Sequence, residues 1–178
     1  DMRIQDDDNE VGFAGSPFRV SEGAGSVAVV VKRLRGSVNR IVLYYGTTTG
    51  GSAVAGSDYT AIPNTAQNIT GRTGNRVEVN AHGLTEGLAI IFEGATLPTP
   101  LVPNVEYYAT NVTANDFEVG LNGSVVTLTG DPSGGPPTVR PGFVWQDGET
   151  QDKSFLVPIH RDFNIDNDQT INVDIALD

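Results

Sequence analysis

Apolar residues along this chain recur with a period of two. Between Ser26 and Leu34, the residues Val27, Val29 and Val31 fall on one face, and Val42 and Tyr44 continue the pattern after a turn at Gly36-Ser37. Toward the other end Phe155, Val157 and Ile159 fall together. So do Ile171, Val173, Ile175 and Leu177, with Asn172 and Asp174 turned to water. Alternation of this kind predicts strands of antiparallel sheets that are buried on one face. Two such sheets packed face to face make a sandwich. No stretch holds apolar residues at i, i+3, i+4, i+7 with caps at its ends, so helices are not predicted. The fold class is all-β, an immunoglobulin-like antiparallel β-sandwich.

The middle of the chain has a different texture. From about Thr65 to Arg140 it is rich in Thr, Asn, Gly and Pro. Pro63 stands before it, and Gly134-Gly135-Pro136-Pro137 and Pro141 close it. Those are loop punctuators. Between them lie strand candidates at Arg76–Asn80, Leu88–Glu93, Glu106–Asn111, Asp116–Gly120 and Val125–Leu128. The expected organisation is an N-terminal strand and acidic linker over 1–10, a sandwich built from 11–63 and 141–178, and an inserted small β-module over 64–140.

Composition narrows the function. Hydrophobic residues make up 38% of the 178, enough for a packed core. The absence of Cys removes disulfides and thiolate metal sites. A net charge of −11 repels phosphate backbones, which argues against nucleic acid, and suits hard cations instead. No apolar run approaches a membrane span, and no stretch reads as a signal peptide. The chain opens on Asp1 rather than Met and is expected to be a processed product or an excised piece.

The outer segments resemble the Calx-beta family. The resemblance rests on Phe18-Arg19-Val20-Ser21-Glu22-Gly23, like the family's opening strand with its V-x-E-G, and on Thr48-x-x-Gly51-Ser52-Ala53-x-x-Gly56-x-Asp58-Tyr59, like T-x-x-G-T-A-x-x-G-x-D-Y. It resumes at Trp145 to Thr150, at Phe155-Leu156-Val157-Pro158-Ile159, and over Asp162 to Ile175. Gly46 departs from it, standing where the family has an aromatic residue. Arg161 and Gln169 depart as well, each replacing an acid, and Asp166 stands for a glutamate. The middle region, through Val77-x-Val79-x-Ala81-His82-Gly83-Leu84 and Tyr107-Tyr108-Ala109, is similar to a small β-module of phage tail and bacterial surface proteins.

The Calx-beta resemblance implies calcium at one pole of the sandwich. The implied ligands are Glu22, Asp58, Asp162 and Asp166 with the run Asp6, Asp7 and Asp8. The alternative is an acidic pole, thinned by Arg161 and Gln169, that holds no metal. The resemblance also places Met2-Arg3-Ile4-Gln5-Asp6-Asp7-Asp8 as a final strand standing before its domain, while the chain stops at Ala176-Leu177-Asp178. The sandwich is thus expected to lack its own last strand. Met2 and Ile4 share a face, as an inserted strand requires. Donation of this strand to a neighbouring copy would make a head-to-tail homopolymer. An excised tandem repeat and a fold-back of the strand are the competing explanations.

Catalysis is not indicated. His82 and His160 are the two histidines, neither lies in a motif with a nucleophile, and no phosphate-binding loop or zinc motif occurs. His82 is expected to serve turn geometry and Trp145 to be core. Asn68, Asn111 and Asn122 head glycosylation sequons that arise easily in such a chain. The leading reading is a structural subunit of an extracellular filament or cell-surface assembly. A repeat of a calcium-binding adhesin, with the module contacting a glycan or surface receptor, and a virion tail or decoration protein are the alternatives.

Overall fold

The computed structural model describes residues 9–94, 96–132, 137–161 and 168–178. The expected donor strand with Met2, Ile4 and Asp6 to Asp8, and the candidate ligands Asp162 and Asp166, lie outside the described residues.

The described chain is all-β. The strands are β1 (Glu10–Phe13), β2 (Ser26–Arg35), β3 (Ile41–Thr48), β4 (Gln67–Asn68), β5 (Gly71–Thr73), β6 (Arg76–Glu78) and β7 (Ala89–Glu93). They continue with β8 (Glu106–Thr110), β9 (Asp116–Leu121), β10 (Ser124–Val125), β11 (Thr138–Trp145), β12 (Lys153–Pro158) and β13 (Asn172–Leu177). All the pairings between these strands are antiparallel. One sheet has the order β1-β2-β12, and the facing one begins β13-β3-β11. The period-two residues fill the space between them. Val29, Val31, Leu43, Tyr45, Phe143, Trp145, Phe155 and Val157 are all buried. Tyr45 stacks on Phe155 with ring centroids 4.0 Å apart, and Trp145 is fully enclosed, the core role expected of it.

Strands β1, β3 and β11 differ from the sequence reading, and of the candidate strand Val125–Leu128 only Val125 lies in a strand, β10. The opening strand is β1, not the segment near Phe18, which carries no strand, and Glu22–Ala24 forms one turn of 3-10 helix. In Glu10 to Phe13 only Val11 and Phe13 alternate, too short a run to reveal it. At Gly12 the tip of Leu34 on β2 lies 2.9 Å from where a Cβ would be. The second difference is β3, which is buried on both faces. Leu43 and Tyr45 face the sandwich core. Val42 and Tyr44 form a separate apolar cluster with Ile91 and Val144 on the other face.

That second cluster marks where β4 to β10 attach. The first half of β11 pairs with β7, from Thr138↔Glu93 to Pro141↔Ile90, and the second half pairs with β3, from Gly142↔Tyr44 to Trp145↔Ile41. One strand therefore belongs to both parts. The sheet continues β7-β8-β9-β6-β5, and the adjacent β4 returns to β11, so the circuit closes around Val77, Ile90, Phe92, Phe117 and Val119. Pro141, which has no N–H to donate, sits at the handover. The outgoing chain crosses β3 where Thr47 N–H donates to Ile62 O (3.0 Å) and Ile62 N–H to Thr47 Oγ1 (3.0 Å). A Cβ on Gly46 would stand 2.6 Å from Asn64 Cα, so no aromatic side chain fits there.

Candidate functional site

Three places in the fold present groups whose arrangement needs explaining: the outer edge of β13, and the two ends of the sandwich.

β13 runs from Asn172, opposite Thr48, to Leu177, opposite Leu43. Asp178 N–H donates to Val42 O (3.1 Å), which fixes the phase of the ladder. Asp174 and Ala176 turn their backbone groups toward β3, and Val173, Ile175 and Leu177 turn theirs outward. Among the described residues no strand lies on that outer side. Ile175 N–H is met instead by the carboxylate of its own neighbour Asp174 (2.9 Å). Ile171, Val173 and Ile175 pack against the core yet remain half-buried, and Leu177 is 52% exposed. Unpaired backbone beside half-covered apolar side chains is a template for one more strand.

At the near end, beyond Leu177, Arg33 gathers the loops. It is 8% exposed. Its Nη1 donates to Gln146 O and Glu149 O, and its Nη2 to Val38 O, Asn39 O and Asn9 Oδ1. The turns after β2 and β11 and the residue just before β1 are thereby tied to one guanidinium. Asn9 is held again through its Nδ2, which donates to Val38 O (2.9 Å). Nothing in the alternation of β2 marks Arg33 as functional, because its acceptors are four backbone carbonyls from two turns and the side-chain oxygen of Asn9.

At the far end, two consecutive residues leaving β12 draw the candidate ligands together. Ile159 N–H donates to Gly25 O (2.9 Å), beside Glu22, and His160 N–H donates to Asp58 O (2.8 Å). Glu22 and Asp58 therefore lie at the same end. Asp58 Oδ2 accepts from Val54 N–H (2.6 Å), closing the turn whose Gly56 N–H donates to Tyr59 O. His160 is fully engaged, with Nδ1 on Ser57 O (3.1 Å) and Nε2 on Thr60 Oγ1 (2.8 Å). Among the described residues no group of three or more His, Cys, Asp or Glu side chains converges as a metal site. Glu22 and Asp58 alone do not satisfy Ca²⁺, which takes six to eight oxygens.

The family comparison covers this same end. Residues 5–85 match the Calx-beta domain. No curated protein and no solved structure matched the chain. The Calx-beta match runs past Pro63 into β4, β5 and β6, and it does not include β11 to β13. Its motif residues have a physical task here. Gly51 lies against Thr170 with no room for a side chain, Ser52 N–H donates to Thr170 Oγ1 (3.0 Å), and Ala53 N–H donates to Thr170 O (3.1 Å). The motif clasps the chain entering β13 and so sets the height at which the open edge begins. Calx-beta domains are a non-enzymatic family associated with calcium-binding proteins, and they occur in extracellular regions of membrane proteins. Among the described residues no helix is long and apolar enough to cross a membrane.

In the lobe of β4 to β10, His82 takes the turn role expected of it. It is 1% exposed, its Nδ1 accepts from Leu84 N–H (2.9 Å), and its ring meets Phe117 edge-on. Burial pushes its pKa below the usual histidine value, opposed by the nearby Asp116. Asp116 is in turn held low by Arg76, whose Nε donates to it. Protonating Nδ1 would set two donors head to head. The folded state thus favours neutral His82, and its contribution is full above the unfolded pKa of about 6.5 and is lost as pH falls below it. In urea melts at about pH 7.5 and about pH 5, the wild type should lose more stability on acidification than His82→Asn, which keeps an acceptor without titrating. Equal losses in the two proteins would remove this role.

The lobe is fixed to the sandwich beyond the shared β11. Lys153 Nζ pairs with Glu106 Oε2 (3.0 Å) and Glu149 Oε1 (3.2 Å), and Glu106 Oε2 also accepts from Val144 N–H (2.8 Å). Tyr45 OH donates to Ala89 O (3.0 Å) and Tyr44 OH to Glu93. A shallow groove of about 240 Å³ lies beside these contacts, lined by Leu88, Tyr108, Phe155 and Leu156.

Proposed function

We propose that this chain is a structural subunit of an extracellular filament or cell-surface assembly, joined head to tail by a strand that one copy donates to the next. The observation that carries the reading is the outer edge of β13, with the backbone groups of Val173, Ile175 and Leu177 outward and Ile175 N–H answered by Asp174. A strand added there completes the ladder and covers apolar side chains of β13 that are only half-buried, which is the mode of donor-strand complementation. Head-to-tail donation between identical copies is a heterologous contact, which builds a filament when its rotation does not close into a ring.

Calcium enters the same proposal at the junction. The end of the acceptor with Glu22 and Asp58 supplies part of the oxygen set. Asp162, Asp166 and the donor's Asp6, Asp7 and Asp8 supply the rest. Three adjacent carboxylates repel one another unless a cation offsets them. The lobe of β4 to β10 is the inserted module of this reading and the part that meets other surfaces.

Negative-stain microscopy of the full chain, and of a variant lacking residues 1–8, tests the proposal in calcium and in EDTA. Regular fibres are expected from the full chain in calcium, fewer and shorter ones in EDTA, and none from the truncated variant. Equal fibres from the truncated variant would exclude donation.

A further inference from the structure

We infer that the strand filling the β13 edge is Met2 to Gln5 of a second copy, lying antiparallel to β13 with Met2 beside Leu177 and Ile4 beside Ile175. This rests on the reading of the chain as a strand-donating subunit and adds direction, register and the two surfaces that meet.

The direction follows from where Asn9 is held. Arg33 and Val38 O fix Asn9 at the near end of the sandwich, and Glu10 pairs with Arg35 immediately after it. Residues 1–8 therefore join the fold at the end toward which β13 runs. On the β13 of their own subunit they would lie parallel to it, with Asp8 nearest Leu177. They would also have to pass from the edge of the β1 sheet to the edge of the facing sheet. That gap is about 10 Å, or about three residues of extended chain, so Asp6, Asp7 and Asp8 would be spent on the crossing and would lie at the Arg33 end, far from Glu22 and Asp58. Across two copies neither constraint holds. An antiparallel strand enters beside Leu177 and leaves beside Asn172 and Thr48.

Faces restrict the register to steps of two residues, and the reach of Arg3 to both Asp174 and Asp178 selects the step. With Ile4 beside Ile175 and Met2 beside Leu177, both donor side chains fall on the half-covered apolar face of β13. Arg3 and Gln5 fall on the face of Asp174 and Ala176, which is exposed. Arg3 then stands opposite Ala176 and diagonal to Asp174 and Asp178, within reach of a long cation. A shift by one residue would put Arg3 and Gln5 over the core and is excluded by their polarity. The donor's Asp6, Asp7 and Asp8 leave at the acceptor's far end, where Glu22 and Asp58 lie. The donor's Arg33 end is then seated against the acceptor's Gly51-Ser52-Ala53 clasp.

The chain has no cysteine, so pairs of introduced thiols report the geometry directly. Mild oxidation of Met2→Cys/Leu177→Cys should give a ladder of covalent dimers, trimers and larger forms on a non-reducing gel, and Met2→Cys/Val173→Cys should give none. Cross-linking of the second pair, whether as a ladder or within one chain, would overturn the antiparallel placement. So would the absence of cross-links from both pairs while the unmodified chain still forms fibres, a result that leaves the strand-donating reading intact. No fibres and no cross-links would remove both.

Discussion

Gly142→Val should destabilise the protein by about 3 kcal/mol or more, seen as a fall of roughly 10 °C in the melting temperature of a chain this size. Gly142 is the first residue of β11 to pair with β3 after the strand leaves β7. A Cβ there would stand 2.7 Å from Leu43 O and 2.6 Å from Ile91 Cδ1, with Tyr44 Cδ1 at 3.1 Å. The Ile91 methyl can turn aside, but the Leu43 carbonyl belongs to the backbone of the neighbouring strand. Relief thus requires β3 and β11 to separate where the two parts of the molecule are joined. Gly12→Ala is the comparison, because there the nearest atom is the mobile tip of Leu34. Its cost should stay below about 1 kcal/mol. Calorimetry on both variants checks the contrast, and similar losses would mean that the handover tolerates separation.

The second large effect is expected at Arg33. Arg33→Met should cost about 2–4 kcal/mol, because several hydrogen bonds from a charged donor are lost at a nearly enclosed site. The carbonyls left behind belong to Val38, Asn39, Gln146 and Glu149, at the two turns of the near end. Arg33→Lys should recover little. An ammonium is a point donor, whereas the guanidinium fork spans both turns. Urea denaturation measures the loss. Hydrogen exchange localises it, since Gly148 N–H, bonded to Ser37 O at 2.7 Å, should exchange faster in both variants. A variant as stable as the wild type, with Gly148 still protected, would show that the turns hold each other without the arginine.

These two residues also show what the chain reveals before it is folded. The alternation of β2, β12 and β13 is strict because each has one face on the core, and the sandwich follows from it. β11 escapes such a reading because Arg140-Pro141-Gly142 looks like punctuation. Its proline and glycine are tolerated because the strand changes partners there, a fact of tertiary structure. The double burial of β3 is likewise invisible, since the cover over Val42 and Tyr44 comes from Ile91, some fifty positions away. Of the candidate site, Glu22 and Asp58 were legible through their motif, and the fold brings both to one end. Asp58 was less legible in its duty, for its carboxylate closes its own turn. That β13 stands at a sheet edge among the described residues agrees with the strand order implied by family resemblance. The groups that define it, Ile175 N–H and the Asp174 carboxylate, follow from a ladder phase that no residue pattern states.

The shared strand β11 has a further consequence. β13 lies on one side of β3 and β11 on the other, so the lobe of β4 to β10 stands away from the edge where a neighbour would dock. No linker separates it from the sandwich, and Lys153, Tyr44 and Tyr45 bind it on either side of the join. In a polymer of the kind proposed, each lobe would then be held at one angle and one spacing, set by the subunit repeat. Weak contacts made by single lobes would add along such an array with little loss to flexing, so that avidity, rather than the affinity of any one lobe, would govern how the fibre holds a surface.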